Sequence, residues 1–486
     1  MASFQLLPLL NVLFLVLMLR FGHSSSQVNT TNKIRCSDRE RQALLNIKDE
    51  LDDTNGQLSS WGSDENKRDC CEWGGIQCHN QTNHVTRLDL GSYGLQGKIC
   101  SSLHELQHLR YLDLSFNSFE HGPIPEVIGS LTKLRYLNLA NANFNGPIPR
   151  QIGNLSKLLY FDIYWNDCYS ENLDWVYRLD SLEHLGLSST NLTKATNWLE
   201  AVSKLTSIKE LDLREVALPE IPLSLLPKIN GSSPLAILDL SSNLYPSIMM
   251  LVRWFSNFSS TQLTSIFLGG NHIAGPVPNF FENMTSLEYL DLSESDIQGG
   301  IPKYFGNLSS LTGLSMFGSN LTGDFSELIM NLSGPVSSLI DLRLEGNQLS
   351  GSIREGHLRL PHLVFLALSS NRLTGPVPDL SFSSSLVSLL LDNNMFDGTL
   401  PQSIGRLSQL RALDLSLNSF LEVKFSPYWN PTFQLESLIL TQCKLGNYFP
   451  TWIRTQKEIE RIDISNTGIS DVLPSWFVRI SPKLII

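Results

Sequence analysis

The chain has 486 residues, 42% of them hydrophobic and 17% charged, with a formal net charge of −11. Length alone suggests about three ordinary globular domains. The acidic balance argues against a nucleic-acid-binding surface, which needs clustered Lys and Arg; abundant apolar residues argue against disorder; and 32 Gly with 23 Pro are too few for a collagen-like chain.

Residues 6–19 are almost wholly apolar, but a run of about 14 is short of a membrane span. With the small residues Ser24, Ser25 and Ser26 behind it, segment 1–26 reads as a secretory signal, and no later stretch reaches 18 apolar residues. The mature chain is therefore expected to carry no transmembrane helix. Export fits ten N-x-[ST] sequons, at Asn29, Asn80, Asn154, Asn191, Asn230, Asn257, Asn283, Asn307, Asn320 and Asn331.

Segment 27–84 reads as a cap. Ser37-Asp38-Arg39-Glu40 forms a capping box, and Ala43, Leu44, Ile47 and Leu51 form a helical stripe. Cys36, Cys70, Cys71 and Cys78 allow three disulfide connectivities. Joining the adjacent Cys70 and Cys71 is the least favourable, and the preferred pairing is Cys36–Cys70 with Cys71–Cys78.

From Val85 the pattern L-x-x-L-x-L-x-x-N-x-L recurs sixteen times, through residue 481, at spacings of 23 to 28 residues. That period and motif define a leucine-rich repeat, so one continuous array replaces the three-domain prior. In Leu109–Asn117 the inward Leu112 and Leu114 alternate with Asp113 and Ser115. Such alternation makes a short half-buried strand. Each unit adds one parallel strand, and sixteen span roughly 75 Å along the stack. The asparagine position turns the chain out of the strand; it is Asn at 117, 166, 243, 271, 347, 371, 394 and 418. Thr190, Ser295, Ser319, Cys443 and Thr467 substitute for it with small groups able to hydrogen-bond, whereas Ala142 and Val216 predict local weakening. Cys443 therefore reads as a ladder residue. Cys100 and Cys168 lie three strand spacings apart, about 14 Å, too far for a disulfide. Residues 482–486 begin a seventeenth unit, with Leu484 at its anchor.

No metal, nucleophile or phosphate motif occurs, so no cofactor and no enzymatic activity are expected. Asp89, Asp113, Asp162, Asp212, Asp239, Asp291, Asp414 and Asp463 form an acidic column, but L-D-L is the repeat consensus, and they read as solvated strand residues. The binding candidates are aromatic. Arg87, Tyr111, Tyr136, Tyr160 and His184 occupy one position in consecutive strands, with Phe116, Tyr164 and Trp165 beside them. Alternation predicts that all project to the concave face, either as a contact surface or as a stabilising stack. Lys209, Glu210, Asp212, Arg214 and Glu215 form a charged patch expected to be merely solvated.

The G-x-[IV]-P segments at Gly122, Gly146, Gly275, Gly299 and Gly375, with "IGNLSKL" at 152–158, resemble plant-type extracellular leucine-rich repeats. The resemblance implies an α/β repeat solenoid, a superhelix with a second short strand in the repeat and a disulfide-stapled N-terminal cap. Residues 166–211 and 443–477 further resemble the plant receptor-like proteins that include receptors for the fungal ethylene-inducing xylanase. That group implies perception of a microbial protein or peptide elicitor, without catalysis, at the plasma membrane. Signalling would pass through receptor-like kinase co-receptors. Its members continue through further repeats, a membrane helix and a short tail, so a C-terminally truncated sequence is expected. A chain ending at Ile486 would instead be secreted to the apoplast. The alternative resemblance is to secreted polygalacturonase-inhibiting proteins, which share the cap and repeats but are shorter and end in a cap of their own.

Overall fold

The computed structural model describes residues 36–221, 234–243, 262–332, 338–353, 360–480 and 482–484. Segment 1–26 and the sequons Asn29, Asn230 and Asn257 lie outside the described residues.

The cap opens with helix Asp38–Asp49, where Ser37 Oγ accepts from the Glu40 backbone N–H at 3.2 Å. Ala43, Leu44, Ile47 and Leu51 are buried, as the stripe requires. The reciprocal half of the capping box does not close. The Glu40 carboxylate turns into the protein, accepting from Val85 N–H at 3.3 Å and lying 3.3 Å from His84 Nδ1. A buried donor and an imidazole hold a carboxylate more firmly than an exposed helix end does. Cys36–Cys70 and Cys71–Cys78 both form, with Cα separations of 5.4 and 5.5 Å. Strand Ile76–Cys78 pairs antiparallel with Val85–Asp89, which protects the first edge of the array.

Sixteen strands follow, from Val85–Asp89 to Arg461–Asp463, each parallel to and hydrogen-bonded with the next in chain order. All sixteen anchors, Val85 to Ile459, are buried, and the buried apolar residues form one cluster from Cys36 to Ile480. Burial of each such side chain contributes about 1.5–3 kcal/mol relative to exposure, and only neighbouring units can supply it. Single-turn 3-10 segments such as Arg150–Asn154, Lys303–Asn307 and Gln402–Arg406 return the chain behind the sheet.

The second strand is present but interrupted. Gln96–Gly97 pairs with Ser118–Phe119, Asn145–Pro147 with Asp167–Tyr169, and Ala274–Gly275 with Asp296–Ile297. A longer run joins Thr322–Asp324, Gln348–Ser352, Arg372–Pro376 and Met395–Asp397. Among the described residues none lies between 192 and 273. Gly146, Gly275, Gly299 and Gly375 all have φ between 77° and 99°. At Gly275 and Gly299 a Cβ would meet nothing within 4 Å, so conformation and not space demands glycine there.

The asparagine ladder is buried and bonded. Asn117 Nδ2 donates to Leu90 O and Leu114 O at 2.8 and 2.9 Å, and its Oδ1 accepts from Leu95 N–H at 2.9 Å. Ser295, Ser319, Cys443 and Thr467 each donate to a backbone carbonyl, Cys443 Sγ to Leu415 O at 3.0 Å. Thr190 departs from expectation: its hydroxyl is buried with no hydrogen-bond partner. Ala142 and Val216 still sit in the ladder, their N–H groups donating to Asn166 and Asn243 of the following unit. Cys100, Cys168 and Cys443 are free thiols, and burial pushes the last two up to about 12.

Candidate ligand-binding surface

The aromatic candidates separate into two groups. The first is a stack. Tyr111, Tyr136, Tyr160 and His184 lie face to face, with ring centroids 4.2, 4.4 and 4.1 Å apart and planes within 12° of parallel. Arg87 closes one end, its guanidinium carbon 3.5 Å from the Tyr111 centroid. Parallel in-register strands put identical positions one strand spacing apart, which is why the rings meet. The tyrosine faces are spent on one another, and burial pushes all three hydroxyls well above their ordinary range. His184 Nδ1 lies 3.0 Å from Glu210 and Nε2 lies 3.5 Å from Asp162. Burial opposes its charge, but the two carboxylates outweigh burial and raise it to about 9.

The second group is open. Phe116 is 44% exposed and Trp165 50% exposed. Tyr164 bridges them, 6.1 Å from Phe116 and 5.4 Å from Trp165 between centroids. The expectation that alternation brings all three to the concave face holds for Tyr164 alone, since strict alternation would turn Phe116 and Trp165 inward. Phe116 and Trp165 reach solvent because each has a positive φ, 53° and 56°, immediately before the ladder asparagine. Every one of the sixteen units has a positive φ at this position, with Ser at 92, 189, 242 and 370, Asn at 141, 393 and 466, Gly at 270, 318 and 346, and Glu215, Glu294, Leu417 and Gln442 in the other four. Bulky residues in the left-handed region are outliers.

The acidic column corrects its expected role. The carboxylates cap the exit of the strand, as Asp113, Asp239 and Asp414 each accept from the N–H two residues later at 2.9–3.0 Å and from the Ser hydroxyl of that residue. Asp113 and Asp291 are buried rather than solvated, and burial pushes them up. The patch at 209–215 is paired rather than merely solvated: Lys209 bonds Glu183 at 2.8 Å, and a Glu210 carboxylate oxygen lies 3.0 Å from His184 Nδ1. One donor set went unread in the sequence. Glu40, His84 and His108 bring one ligand atom each within 4.8 Å of one another. The imidazoles of His84 and His108 stack 3.7 Å apart with planes 4° from parallel, so their in-plane lone pairs do not converge on a common ion.

Family profiles match this architecture: a leucine-rich repeat N-terminal domain at residues 37–79, a leucine-rich repeat region at 81–231, and leucine-rich repeats at 261–321 and 385–407. Receptor-like protein EIX1 of Solanum lycopersicum is 37% identical over 93% of this chain, and Receptor-like protein EIX2 of the same plant is 36% identical over 97%. The chain belongs to the plant leucine-rich-repeat receptor-like proteins. It spans about half the length of these relatives, 52% and 53%. Among solved structures, PEPR1–AtPEP1 aligns over 88% of this chain and 65% of that one, with a TM-score of 0.59 and 26% identity. The ectodomain of the Arabidopsis receptor kinase HAESA aligns over 92% of this receptor-like chain and 80% of its own, with a TM-score of 0.59 and 21% identity, a likeness of fold. No described helix of the receptor-like chain is long and apolar enough to cross a membrane.

The sequons of the receptor-like chain favour its helical back. Asn154, Asn283 and Asn307 each end a 3-10 segment and are exposed, as are Asn80, Asn191 and Asn320. Asn331 differs: half-buried, its amide donates to Ile301 O at 2.9 Å, a bond that a glycan on the same nitrogen would disturb.

Proposed function

We propose that this receptor-like chain is the extracellular recognition region of a plant immune receptor, binding a microbial protein or peptide elicitor without catalysis and signalling through partner receptor kinases. The observation that carries this reading is the left-handed exit turn. A residue without a Cβ is free at that φ, and an L-residue in a left-handed helix costs about 1–2 kcal/mol. This array holds Phe116 and Trp165 there, exposed and linked through Tyr164, where ten of the other fourteen units use Ser, Asn or Gly and Leu417 is the one other apolar side chain. Strain retained with an exposed apolar ring supports a contact role. Resemblance to the xylanase-receptor group and likeness to PEPR1 bound to AtPEP1 support the same class of ligand.

The test is binding of a purified fungal ethylene-inducing xylanase to the secreted chain by biolayer interferometry. Phe116→Gly with Trp165→Gly is expected to lower affinity at least tenfold at unchanged secretion. Equal affinity removes the aromatic surface from the site, and no binding by the parent chain rejects this elicitor.

A further inference from the structure

Across the first strand position from the aromatics, the same units carry a second feature. Residues on either side of the anchor leucines form two columns in register. One is His84, His108, Lys133 and Lys157; the other is Thr86, Arg110 and Arg135. Backbone pairing fixes the second column, since Arg110 N–H donates to Thr86 O and Arg135 N–H to Arg110 O, both at 2.8 Å. All of them except His84 line a groove of about 270 Å³, together with His79 and Thr82 from the cap.

Three properties single it out. Its lining holds no acidic residue, in a chain of net charge −11. Among the described residues, no carboxylate lies within ion-pair distance of Arg110, Lys133, Arg135 or Lys157, all exposed. Burial, then the charges of His84, Lys133 and Arg110, holds His108 below its ordinary value, as a region of positive potential requires. The second column ends at repeat 4, where Leu159 follows the anchor, and the first at repeat 5, where Ser181 precedes it and Glu183, on the other side, pairs with Lys209.

We propose that this groove binds an acidic oligosaccharide, a short chain of uronic acids with one carboxylate on each sugar ring. Every lining side chain is a hydrogen-bonding one, which suits hydroxyls and carboxylates and offers no pocket to the apolar side chains of a peptide. Cations recur at one strand spacing, about 4.8 Å, whereas an extended peptide presents side chains to one face about every 6.7 Å and falls out of step. Two columns, flanking the inward anchors, receive carboxylates that point to alternate sides of a sugar chain. The stacked histidines lie beside the groove: a cation at Glu40, His84 and His108 would be repelled by Arg110 and Lys133, whereas an anion in the groove is attracted by them.

The experiment titrates the secreted chain with tetragalacturonate by isothermal calorimetry in 20 and 150 mM salt. Expected results are binding that weakens steeply with salt and a loss of at least tenfold in Arg110→Gln/Arg135→Gln. Lys303→Gln/Arg372→Gln, the same charge change at exposed residues elsewhere, is expected to bind as the parent does. The groove residues are exposed, so the fold is expected to survive their substitution, checked by an unchanged melting temperature. The proposal is overturned if fully methyl-esterified tetragalacturonate binds equally well, if tetraglutamate binds more tightly, if the two double variants behave alike, or if the parent chain does not bind. None of these outcomes depends on elicitor binding at Phe116 and Trp165.

Discussion

Removing single ladder asparagines measures how the array shares its hydrogen bonds. Asn371 Nδ2 donates to Leu344 O and Leu368 O, and its Oδ1 accepts from Leu349 N–H. Both carbonyls have a second ladder amide, Leu344 O from Asn347 and Leu368 O from Asn394. Asn371→Ala therefore strands one buried N–H, at about 1–3 kcal/mol. Asn117 has no such support, because Leu90 O and Leu114 O are reached by Asn117 and by no second ladder amide. Asn117→Ala strands Leu95 N–H and takes the side-chain donor from both carbonyls, adding about 0.5–1.5 kcal/mol each. Long arrays are not two-state, so a single unfolding midpoint blurs the difference. Native-state hydrogen exchange read by mass spectrometry resolves it locally. Exchange around Leu349 in Asn371→Ala is expected to accelerate about 5- to 150-fold. Exchange around Leu95 in Asn117→Ala is expected to accelerate by about another factor of 5 or more. Equal acceleration at the two sites, or more at Leu349, would refute shared bonding as the source of ladder stability.

Tyr136→Ala breaks two ring stacks, each contributing about 0.5–1.5 kcal/mol, and should lower thermal stability, whereas Trp165→Gly relieves a left-handed backbone and should raise it; differential scanning fluorimetry reads both signs. His184 gives a pH dependence. Its folded value of about 9 lies above the unfolded value of about 6.5, so the folded state binds the extra proton. That contribution is complete below about pH 6.5 and is lost as pH rises towards 9, and His184→Gln should flatten the slope of stability in that window. Ala142→Asn restores a second amide donor near Leu114 O and Leu139 O and should slow exchange in the third unit; unchanged or faster exchange would show that crowding at this fully buried site outweighs the added bonds. Mass spectrometry of the plant-secreted chain should find glycans at Asn154, Asn283 and Asn307 at higher occupancy than at Asn331, whose amide is engaged; full occupancy at Asn331 would show that this bond forms only without the sugar.

What could be read from sequence follows from which features are periodic. Anchors and ladder asparagines repeat at fixed offsets, and each offset corresponds to one inward direction in a stacked strand, so Val85 to Ile459 were legible; the disulfides were legible because four cysteines cluster in the cap and the adjacent two are the least favourable to join. Alternation does not account for the exposure of Phe116 and Trp165: it assumes extended backbone and would turn both inward, and the positive φ before each ladder residue is what brings them out. That column was readable in principle: Ser, Asn and Gly at 92, 141, 189, 242, 270, 318, 346, 370, 393 and 466 are residues that tolerate a left-handed turn. The aspartates looked solvated because the pattern sets which face a side chain leaves from, not whether it folds back, and a short carboxylate two residues before a free N–H folds back. Glu40 shows the same limit in the cap, where a local motif lost to a partner 45 residues away. The basic groove escaped for a different reason. Its residues flank the anchors, positions outside the motif, and a net charge of −11 conceals a local run of Arg110, Lys133, Arg135 and Lys157. In a solenoid, charge should therefore be counted down each repeat position rather than along the chain. The consensus positions of this receptor-like chain build the stack, and the positions between them, at the strand exit and beside the anchor, are where we propose that ligands bind.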